Sequence, residues 1–168
     1  MSPRIGKLLT MNSYKTAISR KSLPVPVRYL LGQGMVHGHV LDYGCGKCKP
    51  INDAVLTQVP GVKTVTSFDP HWEPTACMIP HHYDVVLCTY VLCTLPQSDE
   101  QDILWKIKLA LRPNGIAYVS VRNDEPKQGY GVSNKGTFQR KVVLDYLYEL
   151  KKCHQYRIYL LTSASRTP

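Results

Sequence analysis

Short apolar runs alternate along the chain with stretches whose hydrophobic residues recur at helical spacing. HVLDY at 39–43 is an apolar run that enters a glycine turn and reads as a strand. Pro50 then sits at a helix-start position, with Ile51, Ala54, Val55 and Val59 on one helical face. Residues 62–69 place Val62, Val65 and Phe68 among β-prone threonines, predicting a second strand. Pro70, Pro74 and Pro80 predict a loop over 70–80. YDVVLCTY at 83–90 is a continuous β-rich run of the buried parallel kind. Residues 99–112 carry Ile103, Leu104, Ile107, Leu109 and Leu111 as a helix, stopped by Pro113, Asn114 and Gly115. A strand over 116–121, a polar loop over 122–137, a final helix over 142–153 and a closing strand over 156–161 complete this part. Upstream, residues 14–20 read as a short helix. Pro26 opens a further helix, with Val27, Tyr29, Leu30 and Leu31 on its apolar side.

Strands alternating with helices imply an α/β architecture: a compact Rossmann-like open parallel sheet of about five strands, with helices on both faces. A basic arm over 1–24 precedes a single domain over 25–168. At 168 residues one domain is expected, burying roughly 70% of its unfolded surface. No apolar stretch is long enough for a membrane span, and the opening residues hold no signal-like apolar core, so no membrane partner and a cytoplasmic location are expected. The six cysteines are then reduced thiols. Cys45 and Cys48 have zinc-like or redox-like spacing. No second ligand pair follows at finger distance, so small side chains in a tight loop is the preferred reading and no metal site is expected.

Charge is distributed unevenly within the net +9. The first 36 residues carry six Lys/Arg and no acid, residues 37–121 six bases and eight acids, and the remainder nine bases and four acids. A nearly neutral centre between basic ends suggests a core for a small ligand and edges that meet an anion, unless the surplus only aids solubility.

In open α/β sheets ligands bind beyond the carboxyl ends of the strands. The first strand ends in Asp42, Tyr43, Gly44, Cys45 and Gly46, where glycines permit a tight turn and close backbone approach. The next helix points its N–H groups at the same space. Asp69 ends the second strand 23 residues after Gly46, where nucleoside-binding folds grip a ribose diol. Lys49 occupies the position of the third glycine of a dinucleotide fingerprint, so the loop suits a pyrophosphate poorly. A nucleoside with a short charged tail fits better, and S-adenosylmethionine is the expected cofactor. Asp42 reads either as part of that site or as a turn residue.

VLDYGCG, SFDP, YDVVLCTYVL and ALRPNG together resemble the class I S-adenosylmethionine-dependent methyltransferases, with a shortened form of that fold. More narrowly, TAISR at 16–20, Pro24 to Arg28, Phe68 to Trp72, Asp84 to Leu92 and GTFQ at 136–139 resemble methyltransferases associated with DNA phosphorothioation in bacteria. The broad resemblance implies that Asp42, Gly44 and Gly46 line the methionine end of the cofactor, with Tyr43 and Cys45 also in the cofactor site. It places Asp69 and Pro70 at the ribose, and Thr89 and Tyr90 beside the adenine or methyl group. The strand and helix usual between Asp69 and Tyr83 are replaced here by a proline-rich loop.

Methyl transfer from a sulfonium needs alignment above all. The chain lacks the tetrapeptide of base-amino methyltransferases and the Pro-Cys of cytosine-C5 enzymes. Tyr90 reads as a hydrogen-bonding catalytic residue or as a core tyrosine, and His71 as a proton acceptor or a surface residue. Trp72 covers an adenine or closes the core. In the stretch 122–140, Arg122, Lys135, Phe138 and Arg140 join basic and aromatic groups in the way that suits a nucleic-acid acceptor. A small-molecule acceptor, or a non-catalytic module binding the cofactor or nucleic acid, are the alternatives. Oligomeric state is open.

Overall fold

A computed structural model describes residues 13–165 of the chain, so residues 1–12 of the basic arm lie outside the described part. A 3-10 turn at Ser13–Thr16 replaces the helix expected over 14–20. The Thr16 hydroxyl closes the turn on the Ser13 carbonyl at 2.6 Å. None of its residues is buried, so no packed face supports further helical turns. Helix α1 (Val25–Gly32) begins with Pro26 in its first turn and buries Pro26, Val27 and Leu30. Strand β1 (Gly38–Tyr43) leads through a 3-10 turn into α2 (Lys49–Leu56), and β2 (Val62–Phe68) follows. Strand β3 (Tyr83–Thr89), helix α3 (Glu100–Ala110) and strand β4 (Leu111–Arg122) come next. A small hairpin of β5 (Gly131–Val132) and β6 (Phe138–Gln139), then β7 (Tyr148–Lys152) and β8 (Tyr156–Thr162), complete the chain.

Six strands form one sheet in the order β2-β1-β3-β4-β8-β7. The first four are parallel, and β8 runs antiparallel to both β4 and β7. The parallel sheet expected from sequence is therefore mixed at one side. Parallel strands need a long crossover, usually a helix. The three residues joining β7 to β8 permit only a hairpin, which turns β8 against its neighbours.

The helix expected over 142–153 is absent. Val142 and Leu144 are buried while Lys141, Val143 and Asp145 are exposed, an alternation that belongs to extended chain. This segment lies with α3 on one face of the sheet: Leu104, Ile107, Val142, Leu144 and Leu147 share a core with Val86, Cys88, Val119 and Leu161. On the other face, Val27 and Leu30 of α1 and Leu56 of α2 pack with Val40, Val85, Leu87 and Ile158. Full burial of each such aliphatic side chain is worth about 1.5–3 kcal/mol, and the two layers lock the strand tips in register.

Candidate cofactor and acceptor site

The chain leaves β1 for β2 on one side, and β3 lies on the other, so the strand order reverses at β1. A cavity of about 970 Å³ opens at the carboxyl ends of these strands. That volume is near the upper end of small-molecule sites.

Gly44 (φ +75°) and Gly46 (φ +54°) hold the turn after β1 in a conformation that side chains disfavour. The turn packs on the protein itself: a Cβ on Gly44 would run into Val91, and one on Gly46 would lie 3.3 Å from Ala17. Its amides are engaged as well. Gly44 N–H donates to the Phe68 carbonyl at 2.7 Å, Cys45 N–H to the same oxygen at 3.1 Å, and Gly46 N–H to Asp69 at 3.0 Å. The glycines expected to bare backbone for a ligand thus let the β1 turn fuse with the tip of β2.

Asp42 is 5% exposed and accepts a 2.6 Å hydrogen bond from Asn52 Nδ2. Burial raises its carboxyl to about 6, against the lowering effect of the Asn52 bond. Asn52 Oδ1 is buried with no partner among the described residues, and Asn52 lines the cavity. Asp69 Oδ1 accepts the His71 and Trp72 N–H groups at 2.9 and 3.0 Å. Three of a carboxylate's roughly four lone-pair sites are therefore used, which leaves one for a hydroxyl. Pro70 and His71 are exposed on this turn and line the cavity. The His71 ring stacks on Tyr14 at 3.9 Å and meets Trp72 edge-on at 4.7 Å. Phe68, Met78 and Ile103 supply apolar wall, Met78 coming from the loop that replaces the missing strand and helix.

At the tip of β3, Thr89 and Tyr90 line the same cavity. Tyr90 has φ +62°, and its N–H donates to the Ser120 carbonyl at 2.8 Å, which turns the chain sharply off the sheet. Burial pushes its phenol up to about 12, so it stands as a hydrogen-bond donor at neutral pH. The Arg20 guanidinium lies 5.8 Å from its ring centre. Burial also pushes the Cys45, Cys88 and Cys93 thiols up, which keeps them protonated.

The four residues expected to meet an acceptor are not brought together. Arg122 lines the cavity and is held bidentately by Asp124 at 3.1 and 2.6 Å. Arg140 binds Glu100 at 2.6 Å and the Leu95 carbonyl at 2.8 Å, with only 15% of its side chain exposed. Lys135 and Phe138 sit on the β5–β6 hairpin and are not among the cavity-lining residues. Sequence reasoning missed Asn52, Val91, Gln139 and Gln155, all at the cavity. Gln139 ends the GTFQ run, the one signal that pointed near it, and its Oε1 is buried without a partner among the described residues. Among the described residues no cluster of His, Cys, Asp and Glu is arranged to hold a metal, and no helix is long and apolar enough to cross a membrane.

No family model and no curated sequence matches this chain. Solved structures do resemble it. Burkholderia thailandensis 1,6-didemethyltoxoflavin-N1-methyltransferase, with 1,6-didemethyltoxoflavin and S-adenosylhomocysteine bound, superposes with a TM-score of 0.60 at 17% identity, covering 81% of this chain and 76% of that one. A Bacteroides fragilis S-adenosylmethionine-dependent methyltransferase in complex with S-adenosylhomocysteine gives 0.53 at 14% identity, covering 94% and 93%. The fold is that of the Rossmann-like methyltransferases.

Proposed function

We propose that this chain transfers a methyl group from S-adenosylmethionine to a small acceptor held beside Tyr90. One observation carries this reading: at the switch point of a methyltransferase fold, a single cavity joins the β1 turn and Asp69 at one end to Tyr90, Arg122 and Gln139 at the other. The lining fits the cofactor. Asp69 keeps one acceptor site for a ribose hydroxyl, Phe68, Met78 and Ile103 flank an apolar slot for a base, and the polar turn after β1 receives a short tail. The two similar structures named above were both solved with S-adenosylhomocysteine, and one also holds a small acceptor.

When bound, S-adenosylmethionine supplies an electrophilic methyl on a sulfonium whose thioether departs readily. The chain's contribution is alignment of the two partners in one cavity. Tyr90 donates a hydrogen bond to the acceptor from the tip of β3. The paired Arg122 and Asp124 present a neutralised polar wall, and Gln139 Oε1 accepts an acceptor N–H or O–H. His71 belongs to the ribose end, since two strand spacings, about 10 Å, separate the tips of β2 and β3. It therefore orients the turn through Tyr14 and Trp72.

The test is calorimetric titration with S-adenosylhomocysteine, followed by radiolabelled methyl transfer to panels of metabolites, DNA and RNA. Binding that is lost in Asp69→Ala, with the fold intact by circular dichroism, supports the site. No binding to the wild-type chain overturns the reading. Label entering metabolites supports a small acceptor. Label entering nucleic acid favours the second reading, which rests on exposed Lys127, Lys135 and Lys141 and the net charge of +9. DNA with and without phosphorothioate linkages belongs in that panel, given the narrower resemblance. Binding with no transfer to any substrate would mark a non-catalytic module.

A further inference from the structure

The TAISR run at 16–20 lies against the cavity although, past the 3-10 turn that ends at Thr16, no strand or helix contains it. Its packing is specific. Ala17 fills the space beside Gly46, and the Ile18 carbonyl accepts the Cys48 thiol at 3.3 Å. Thr16, Ala17, Ile18 and Arg20 all line the cavity. Upstream, Tyr14 caps the Asp69 turn through its stack on His71.

The cofactor's tail ends in an α-carboxylate, which needs donors. The glycine turn cannot supply them from Gly44, Cys45 or Gly46, because those three N–H groups already bond Phe68 and Asp69. Among the cations lining the cavity, Lys106 is paired with Asp102 at 2.7 Å and Arg122 with Asp124. Lys47 lies over the Trp72 ring at 4.8 Å, at the ribose end. Arg20 has no carboxylate partner among the described residues. It lies beside Cys48 at the β1 turn and stands over Tyr90 at the tip of β3. That position spans the stretch where a tail reaching from a sulfur near Tyr90 to the β1 turn must lie.

We infer that Arg20 binds the α-carboxylate of the cofactor's amino-acid tail, and that the 16–20 run forms the wall closing that end of the site. The inference rests on the S-adenosylmethionine reading above. A guanidinium offers a carboxylate two parallel donors, which Lys cannot match. Engaging the tail also fixes the run over the β1 turn, so this segment belongs to the cofactor site and not to a separate arm.

The experiment compares S-adenosylhomocysteine with 5′-methylthioadenosine, which keeps the nucleoside and sulfur but lacks the carboxylate. Wild type, Arg20→Ala and Arg20→Lys are titrated with each, and thermal melting confirms that the variants fold. Arg20→Ala should weaken S-adenosylhomocysteine by about 10- to 100-fold and 5′-methylthioadenosine by less than about 3-fold, with Arg20→Lys recovering part of the loss. The inference is overturned if Arg20→Ala weakens both ligands alike, which is the mark of a structural role, or weakens neither. A wild-type chain that binds neither ligand overturns the methyltransferase reading itself. One that binds 5′-methylthioadenosine normally while Arg20→Ala leaves S-adenosylhomocysteine unchanged overturns only the role of Arg20.

Discussion

Around the tips of β1 and β2 the cavity is walled mainly by backbone that holds itself in place: the Gly44 and Cys45 amides bond the Phe68 carbonyl, and the Gly46 amide bonds the Asp69 carboxylate just past β2. Around the tips of β3 and β4 the wall is made of side chains from distant parts of the chain. Behind that wall, and not lining the cavity themselves, Arg140 and Tyr146 both reach Glu100, at 2.6 and 2.9 Å, and so tie the helix-free stretch after β6 to the start of α3. The difference has a functional logic. Main-chain hydrogen bonds persist when side chains change, whereas a side-chain clasp depends on the identity of both partners; under the proposed function the first end would hold the cofactor and the second would face the acceptor.

The largest expected effect comes from cutting the clasp. Glu100 and Arg140 side chains are 8% and 15% exposed, so Glu100→Ala leaves a buried guanidinium without its partner. We expect a loss of about 3–5 kcal/mol in urea denaturation. If the two ends are as separate as their construction suggests, S-adenosylhomocysteine affinity under native conditions stays within about 3-fold of wild type, because a surviving fold keeps the main-chain end. A parallel collapse of cofactor binding would show that the two regions form one unit.

A pH profile probes the other end. Asp42 is raised in the folded chain to about 6 from an ordinary value of 3.8, chiefly by burial. The native state therefore holds a proton that the unfolded chain has released. Stability from this group is fully present below about pH 4 and is lost as pH rises through about 6, by about 3 kcal/mol in all. Asp42→Asn should flatten that part of the profile, keeping the bond from Asn52 and removing the buried charge. An unchanged profile would mean that Asp42 is solvated in solution.

These two ends also differ in how much the sequence discloses. The turn after β1 and the acid at the end of β2 are local features: a glycine pair after an apolar run, and Asp69 at a set distance. Strands β1, β2 and β3 and helices α2 and α3 follow from periodicities that fit within one element. The stretch 142–153 reads as a helix because Val143, Leu144, Leu147 and Leu150 satisfy a helical face, and the structure has none there. What decides in favour of extended chain is the contact of Arg140 and Tyr146 with Glu100, 40 and 46 residues away, which no local pattern encodes. The same long-range pairing holds Arg140 outside the cavity lining, and Asp124 pairs with Arg122 within it. A further constraint on Gly44 was equally illegible, since Val91, from beyond β3, fills the space beside it.

Gly44→Ala carries a smaller effect and separates two causes. The substitution adds a side chain at φ +75° and drives it into Val91, so a loss of about 1–3 kcal/mol is expected. Val91→Ala in the same chain removes the collision and leaves the conformational cost. Partial recovery of stability in the double variant is the outcome expected if the turn is shaped by packing on β3 as well as by its own dihedral angles. No recovery would assign the glycine wholly to backbone conformation.

The smallest effect sharpens the comparison most directly on the acceptor side. Lys135 is exposed at the β5–β6 hairpin and does not line the cavity. Lys135→Gln should change stability by less than about 0.5 kcal/mol. With a small acceptor enclosed beside Tyr90, the rate of methyl transfer is unchanged. With a polyanionic strand drawn across the hairpin, binding at low salt weakens and the slope of affinity against salt falls by about one phosphate contact. Titrating a labelled oligonucleotide at several salt concentrations reads that slope, and a measurable drop would extend the acceptor surface beyond the clasped wall to the hairpin.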